Sequence, residues 1–148
     1  MVGIGNAMVD VLYHADDSFL EKHDLIKGSM RLVNSVQAEQ IYLDMSFTTE
    51  MSGGSVGNTM AAIASLGGRC SYIGKIGDDH LGSIFRSDMI NLGVCFDIVS
   101  SKDSSATARC LVSITPDGQR TMATYLGACS EIGTADINFD VISNHKIT

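Results

Sequence analysis

Apolar residues come in short runs along this chain, separated by turn-forming polar and glycine positions. Residues 2–12 form one such run, the pattern of a buried strand. Residues 16–22 read as a short helix or turn, and residues 28–33 alternate as a half-exposed strand does. Asn34 or Ser35 then caps a helix to about Met45, with Val36, Ala38, Ile41, Leu43 and Met45 as a loose apolar face. Gly53-Gly54-Ser55-Val56-Gly57-Asn58 opens a helix of small residues, 59–66, that stops at Gly67-Gly68. A strand over 70–76 follows. Asp78 or Asp79 caps a helix over 81–92 whose Leu81, Ile84, Phe85, Met89 and Leu92 keep helical spacing, and a strand over 94–99 comes next.

Strands alternating with helices through short connections predict a parallel α/β sheet. The texture then changes. Residues 106–115 and 119–125 are β-prone and joined by Pro116-Asp117-Gly118, which predicts an antiparallel hairpin. Thr134 caps an expected last helix over 135–142, and residues 146–148 read as the start of a further strand.

Composition narrows the classes. The chain has 148 residues, 45% hydrophobic and 18% charged, with mean hydropathy +0.16. Soluble chains average about 25% charged, so the chain should either lie against a partner or be a piece of something larger. Seventeen acidic against ten basic residues give a net charge of −7, which leaves no basic footprint for a nucleic acid. No apolar run approaches the roughly 20 residues that span a bilayer, and the first residues lack a secretory pattern. The expected compartment is the cytoplasm. Cys70, Cys95, Cys110 and Cys129 form no metal-binding spacing and read as reduced core residues. The eight methionines show no stripe and read as core filler.

Three motifs carry candidate chemistry. The Gly53–Asn58 segment at a helix start suits either close approach of a ligand to free N–H groups or tight packing alone. It has neither a Walker loop nor a dinucleotide fingerprint. Asn6 and Asp10 read as a hydroxyl-binding pair or as a strand-end turn with a solvated carboxylate. Asp78-Asp79-His80 reads as a helix cap rather than a metal site.

Taken in order, Gly3-x-Gly5-Asn6-x-x-x-Asp10, Ser52-Gly53-Gly54-Ser55-Val56-Gly57-Asn58, Gly67-Gly68 and Ile73-Gly74-Lys75-Ile76-Gly77-Asp78-Asp79-x-x-Gly82 resemble the N-terminal half of the ribokinase/adenosine kinase (PfkB-type) family. The hairpin with Pro116-Asp117-Gly118-Gln119-Arg120 and Tyr125-Leu126-Gly127-Ala128 resembles it too, over nearly the whole chain. The Gly5-Asn6 and Gly-Gly-Ser-x-x-Asn forms are closer to bacterial adenosine kinase-like members. The resemblance implies an α/β fold: a ribokinase-like, doubly wound, mainly parallel sheet, present in part, with a small β-sheet lid near residues 12–33 and 106–126. It implies that Asp10 binds sugar hydroxyls with Asn6 beside it, that Gly53, Gly54 and Asn58 hold the ribose with Ser55, and that Leu126 forms an apolar wall. It therefore turns the reading of Asp10 and of the glycine loop toward binding.

In such kinases the ATP site and the catalytic aspartate belong to a C-terminal Gly-Ala-Gly-Asp-like signature. These 148 residues do not contain it. The expectation is thus a substrate-binding portion, without a catalytic residue or metal site of its own, of a kinase using ATP and Mg²⁺ on a nucleoside or sugar. The piece alone is expected to be inactive and poorly soluble. A monomer and a homodimer through the lid both fit the resemblance. The alternative is a non-catalytic nucleoside- or sugar-binding module on the same fold.

Overall fold

Eight strands and five helices make up the computed structural model, which describes residues 1–100 and 105–148. In chain order they are β1 Val2–Ile4, β2 Met8–His14, α1 Asp17–Lys22, β3 Met30–Leu32, α2 Ser35–Asp44, β4 Thr49–Gly53, α3 Ser55–Ser65, β5 Ser71–Ile76, α4 His80–Asn91, β6 Cys95–Ser100, β7 Ala108–Ile114, β8 Arg120–Tyr125 and α5 Phe139–Ser143. They form two sheets. One is three-stranded and parallel, in the order β1-β5-β6; the other is five-stranded and mixed, in the order β3-β8-β7-β2-β4.

Four expectations need correction. Residues 2–12 are not one strand: the chain breaks at Gly5-Asn6-Ala7 and changes sheets, because β1 pairs with β5 while β2 pairs with β4 and β7. Residues 49–53 form a strand that the pattern did not predict. The last helix starts later than expected. Thr134–Asp136 is a single 3₁₀ turn, and Asn138 caps α5 by accepting from the N–H groups of Asp140 and Val141. Residues 146–148 are not a strand, although the Ile147 carbonyl accepts from Val2 N–H at 2.9 Å.

The other helix starts follow local side-chain chemistry. Asp16 accepts from Phe19 N–H, and Asn34 and Gln37 form a reciprocal capping box at 2.9 and 3.1 Å. Such caps contribute about 0.5–2 kcal/mol each. Asp79 caps α4 through Gly82 N–H at 2.8 Å and also takes Thr107 N–H and Oγ1–H at 2.8 and 2.7 Å. It therefore ties the helix to the segment entering β7.

Alternation along β2 decides how the core is built. Val9 and Val11 are fully buried with Leu111 and Ala123, in the same cluster as Phe19, Leu20, Ala38 and Ile41 of α1 and α2. On the three-stranded sheet, Tyr72 packs against Phe85 and Phe96, with ring centroids 5.3–5.7 Å apart within the trio. Burying Phe85 alone contributes about 1.5–3 kcal/mol of transfer free energy. Several large apolar residues stay exposed, among them Phe47, Leu66, Ile26 and Phe139.

Candidate functional site

The residues of β2 that point away from the helices form the opposite face of the five-stranded sheet. Asp10 lies in the middle of that face, half-buried, between Met51 of β4 and Cys110 of β7. Strand register sets Asp10, Cys110, Thr124 and Leu32 in one row across four strands, with Leu12, Val112, Met122 and Met30 in the next. Apart from the Asp10 carboxylate and the hydroxyls of Thr124 and Thr49, these two rows are apolar, and the polar His14 and Arg120 follow in the next row.

The Asp10 carboxyl rests directly on Gly53. A Cβ at position 53 would stand 2.5, 2.6 and 2.8 Å from its Oδ2, Cγ and Oδ1. Burial raises the Asp10 pKa above the usual carboxylate range, and no described residue donates a hydrogen bond to it. Half-desolvated charge without a donor is costly, so the group is poised to accept hydrogen bonds from something that enters.

Next in the chain, Gly54 takes φ +84°, a conformation that side chains rarely adopt. A Cβ there would stand 2.7 Å from the Asn6 carbonyl oxygen. Gly54 is the residue before α3, and no side chain caps that helix. Its first-turn N–H groups are left for solvent or a ligand. Ser55 and Asn58 lie in this turn, both exposed, with Asn58 N–H on the Gly54 carbonyl at 2.9 Å.

Asn6, Asp10, Gly53 and Gly54 are thus brought together by direct contact, with Ser55 and Asn58 in the adjoining turn. Leu126 follows β8, two strands from β2, and opens the 3₁₀ turn Gly127–Glu131. No described contact joins it to the group. Sequence reasoning missed Cys110, Thr124 and the methionines of this face. Cys110 is buried as expected, but it stands in register with Asp10, and burial together with the Asp10 charge pushes its thiol pKa up. Four of the eight methionines, Met8, Met30, Met51 and Met122, belong to this face, so they are not simply core filler. Cys95 is exposed, unlike the other three cysteines.

Asp79 is a cap and a tether. Burial would raise its pKa, but the hydrogen bonds from Thr107 and Gly82 and the Arg109 charge outweigh this and lower it. Among the described residues no group of three His, Cys, Asp or Glu side chains could hold a metal ion, and no helix is long and apolar enough to cross a membrane.

Comparison with known proteins gives consistent matches. The model of the family described as pfkB family carbohydrate kinase matches residues 29–147. The solved structure of adenosine kinase from Sinorhizobium meliloti is 48% identical, with a TM-score of 0.82, over 97% of this chain and 44% of that one. A "probable sugar kinase protein" from Rhizobium etli CFN 42 is 40% identical, with a TM-score of 0.85, over 97% and 43%. Among curated proteins, adenosine kinase 2 of Arabidopsis thaliana is 30% identical over 141 residues, 88% of this chain and 39% of its own length. The chain spans 28–39% of the length of such curated relatives.

Proposed function

Because the chain belongs to the pfkB family of carbohydrate kinases and has their ribokinase-like fold, we propose that it is the acceptor-binding portion of a kinase that phosphorylates the primary hydroxyl of a nucleoside, adenosine first. The observation that carries this reading is the Asp10 carboxylate, half-buried, without a donor and pressed on Gly53 beside an uncapped helix start. A vicinal diol supplies the two O–H donors that such a carboxylate lacks. Asn6 lies beside it, Gly53 and Gly54 let the ribose reach the backbone, and Ser55 and Asn58 offer polar groups from α3. The apolar rows of Cys110, Val112 and Met122 suit a base, and Leu126 is assigned as a further wall.

Asp10 orients the diol and does not remove the proton of the attacking hydroxyl. Phosphoryl transfer depends on positioning and charge stabilisation, and this reading gives the chain the acceptor side only. ATP is the donor. Mg²⁺ would supply charge neutralisation on its phosphates; among the described residues no group of three His, Cys, Asp or Glu side chains could hold it.

A sugar acceptor is the second reading, favoured by the 40% identity to the sugar kinase protein of Rhizobium etli. Calorimetry of the whole protein with adenosine, inosine, ribose and fructose separates the two. Adenosine should bind and 2′,3′-dideoxyadenosine, lacking the diol, should bind at least about 100-fold more weakly. Asp10→Ala should abolish binding. Unchanged affinity in that variant refutes the diol role.

A further inference from the structure

Both flanks of the Gly53-Gly54 pair rest on one helix. Phe85, Asp88 and Met89 of α4 stand three and four residues apart and so share a face. On one flank, Gly57 in the first turn of α3 is buried, and a Cβ there would stand 3.4 Å from Met89 Cε and 3.8 Å from Phe85 Cζ. On the other flank, Ser52 N–H donates to Asp88 Oδ2 at 2.7 Å. Phe85 and Met89 are fully buried, whereas Asp88 is half-buried. Ser52 stands opposite Val9 of β2, yet its N–H is taken by α4. Among the described residues no strand lies on that side of β4, so this donor would otherwise be left to solvent. A second contact between β4 and α4 is weaker. His80 Nε2 lies 3.1 Å from Glu50 Oε2, but His80 is exposed, and exposed pairs contribute little. A carboxylate on a backbone N–H makes a charge-assisted bond, about twice as strong as a neutral one. Asp88 is therefore the main polar tie between β4 and α4.

We propose that Asp88 is a positioning residue for acceptor binding: by holding Ser52 N–H it sets Gly53 against the Asp10 carboxyl. The proposal rests on the reading of Asp10 as the group that binds the acceptor's diol. Asp88 acts through the backbone of β4 and not by touching the acceptor. It fixes the peptide that leads into Gly53, and the close approach of Gly53 to all three carboxyl atoms leaves that contact little slack. A loop that samples other positions binds with an affinity reduced by the fraction of time it is correctly placed. Removing Asp88 therefore weakens acceptor binding while the bound geometry stays the same. The KM for the acceptor rises and kcat is kept.

The test is steady-state kinetics of the whole protein with ATP and, in separate series, adenosine and fructose. Asp88→Ala should raise the KM for the accepted substrate at least about tenfold, with kcat and the KM for ATP within about twofold of the parent. Loss of folded protein would lower kcat and leave KM alone, so the split separates positioning from stability. Asp88→Asn keeps an acceptor oxygen for Ser52 N–H and should restore most of the affinity. Ser87→Ala, at an exposed neighbour on α4, should behave as the parent does. In Gly53→Ala, whose contact with Asp10 is already displaced, Asp88→Ala should raise KM less than about threefold further. Amide exchange in the unsubstituted protein needs no variant: Ser52 N–H should be protected. Rapid exchange at Ser52, a parent-like KM in Asp88→Ala, a fall in kcat alone, or no rescue by Asp88→Asn would each overturn the proposal. Asp10→Ala, assayed alongside, separates the two readings. If it keeps the parent KM, the diol reading fails and this proposal with it; if it loses binding while Asp88→Ala does not, this proposal alone fails.

Discussion

Gly53→Ala puts the contact between the glycine loop and Asp10 under direct strain. The added Cβ would stand 2.5–2.8 Å from the three atoms of the carboxyl, about 1 Å inside the optimal non-bonded separation. Either the carboxylate rotates off or strand β4 lifts from β2, since among the described residues no strand pairs with the far side of β4. Overpacking of this kind costs about 1–3 kcal/mol. For a chain near 150 residues that lowers Tm by roughly 2–4 °C per kcal/mol. A double-mutant cycle by urea denaturation isolates the cause. In an Asp10→Ala background the new Cβ meets no carboxylate, so Gly53→Ala should cost at least about 1 kcal/mol less there. Adenosine affinity should fall in Gly53→Ala whichever group moves. An equal cost in both backgrounds would show that the clash is not with Asp10, and unchanged affinity would sever the carboxylate from the ligand.

Asp10→Asn should stabilise the fold while weakening ligand binding. Burial raises the Asp10 pKa above its unfolded value near 3.9, so ionisation opposes folding above that window. Stability is lost as pH rises through the raised pKa, and the variant's advantage at pH 7 should narrow toward pH 4. Denaturation at both pH values checks this; a parent more stable than the variant at pH 7 contradicts it. Asp79→Ala removes the cap of α4 and both bonds to Thr107, and should cost about 2–4 kcal/mol. Asp79→Asn keeps an acceptor oxygen and should recover at least half of this in the same melt. Native labelling with a thiol reagent should modify Cys95 alone at a fast rate. Cys70, Cys110 and Cys129 are buried, and burial pushes the Cys129 thiol up to about 11; a second fast thiol argues against this packing.

Legibility in the sequence followed the range of the interactions. Asn34 and Asp79 could be read as caps because each bonds within three residues of itself, whereas Asp16, which caps α1 in the same way, was not singled out. The hairpin could be read because its turn, Pro116-Asp117-Gly118, is local too. The break at Gly5-Asn6-Ala7 could not, because residues on both sides of it are equally apolar and their sheet is decided by partners 37 or more residues away. Strand β4 was missed for the same reason. Thr-Glu-Met-Ser-Gly has little strand propensity, and what holds it is pairing to β2 and the Ser52 N–H bond to Asp88 at 2.7 Å. At the last helix, Asn138 competes with Thr134 as a cap and wins by bonding two N–H groups. The methionine face crosses four strands, so no spacing in the chain displays it. Of the candidate site, Asn6, Asp10 and the glycine loop were legible as motifs, while Cys110 and Thr124 became visible only through register.

The glycines of these motifs divide into two kinds, and the division explains why the site lies where it does. A Cβ at Gly3 or Gly5 would stand 2.6 or 2.8 Å from the Val56 side chain. These two positions therefore serve packing: they let the first turn of α3 come down onto β1. Gly53 and Gly54 face instead the Asp10 carboxyl and the Asn6 carbonyl. The approach of α3 to β1 is what carries its free N–H groups to the point where the chain leaves one sheet for the other. If residues 2–12 ran on as a single strand, Asn6 would be fixed in a ladder and Asp10 would share its sheet with β5, far from Gly53. The sheet exchange that the apolar pattern concealed is thus the step that assembles a carboxylate, a glycine pair and a helix start around one opening.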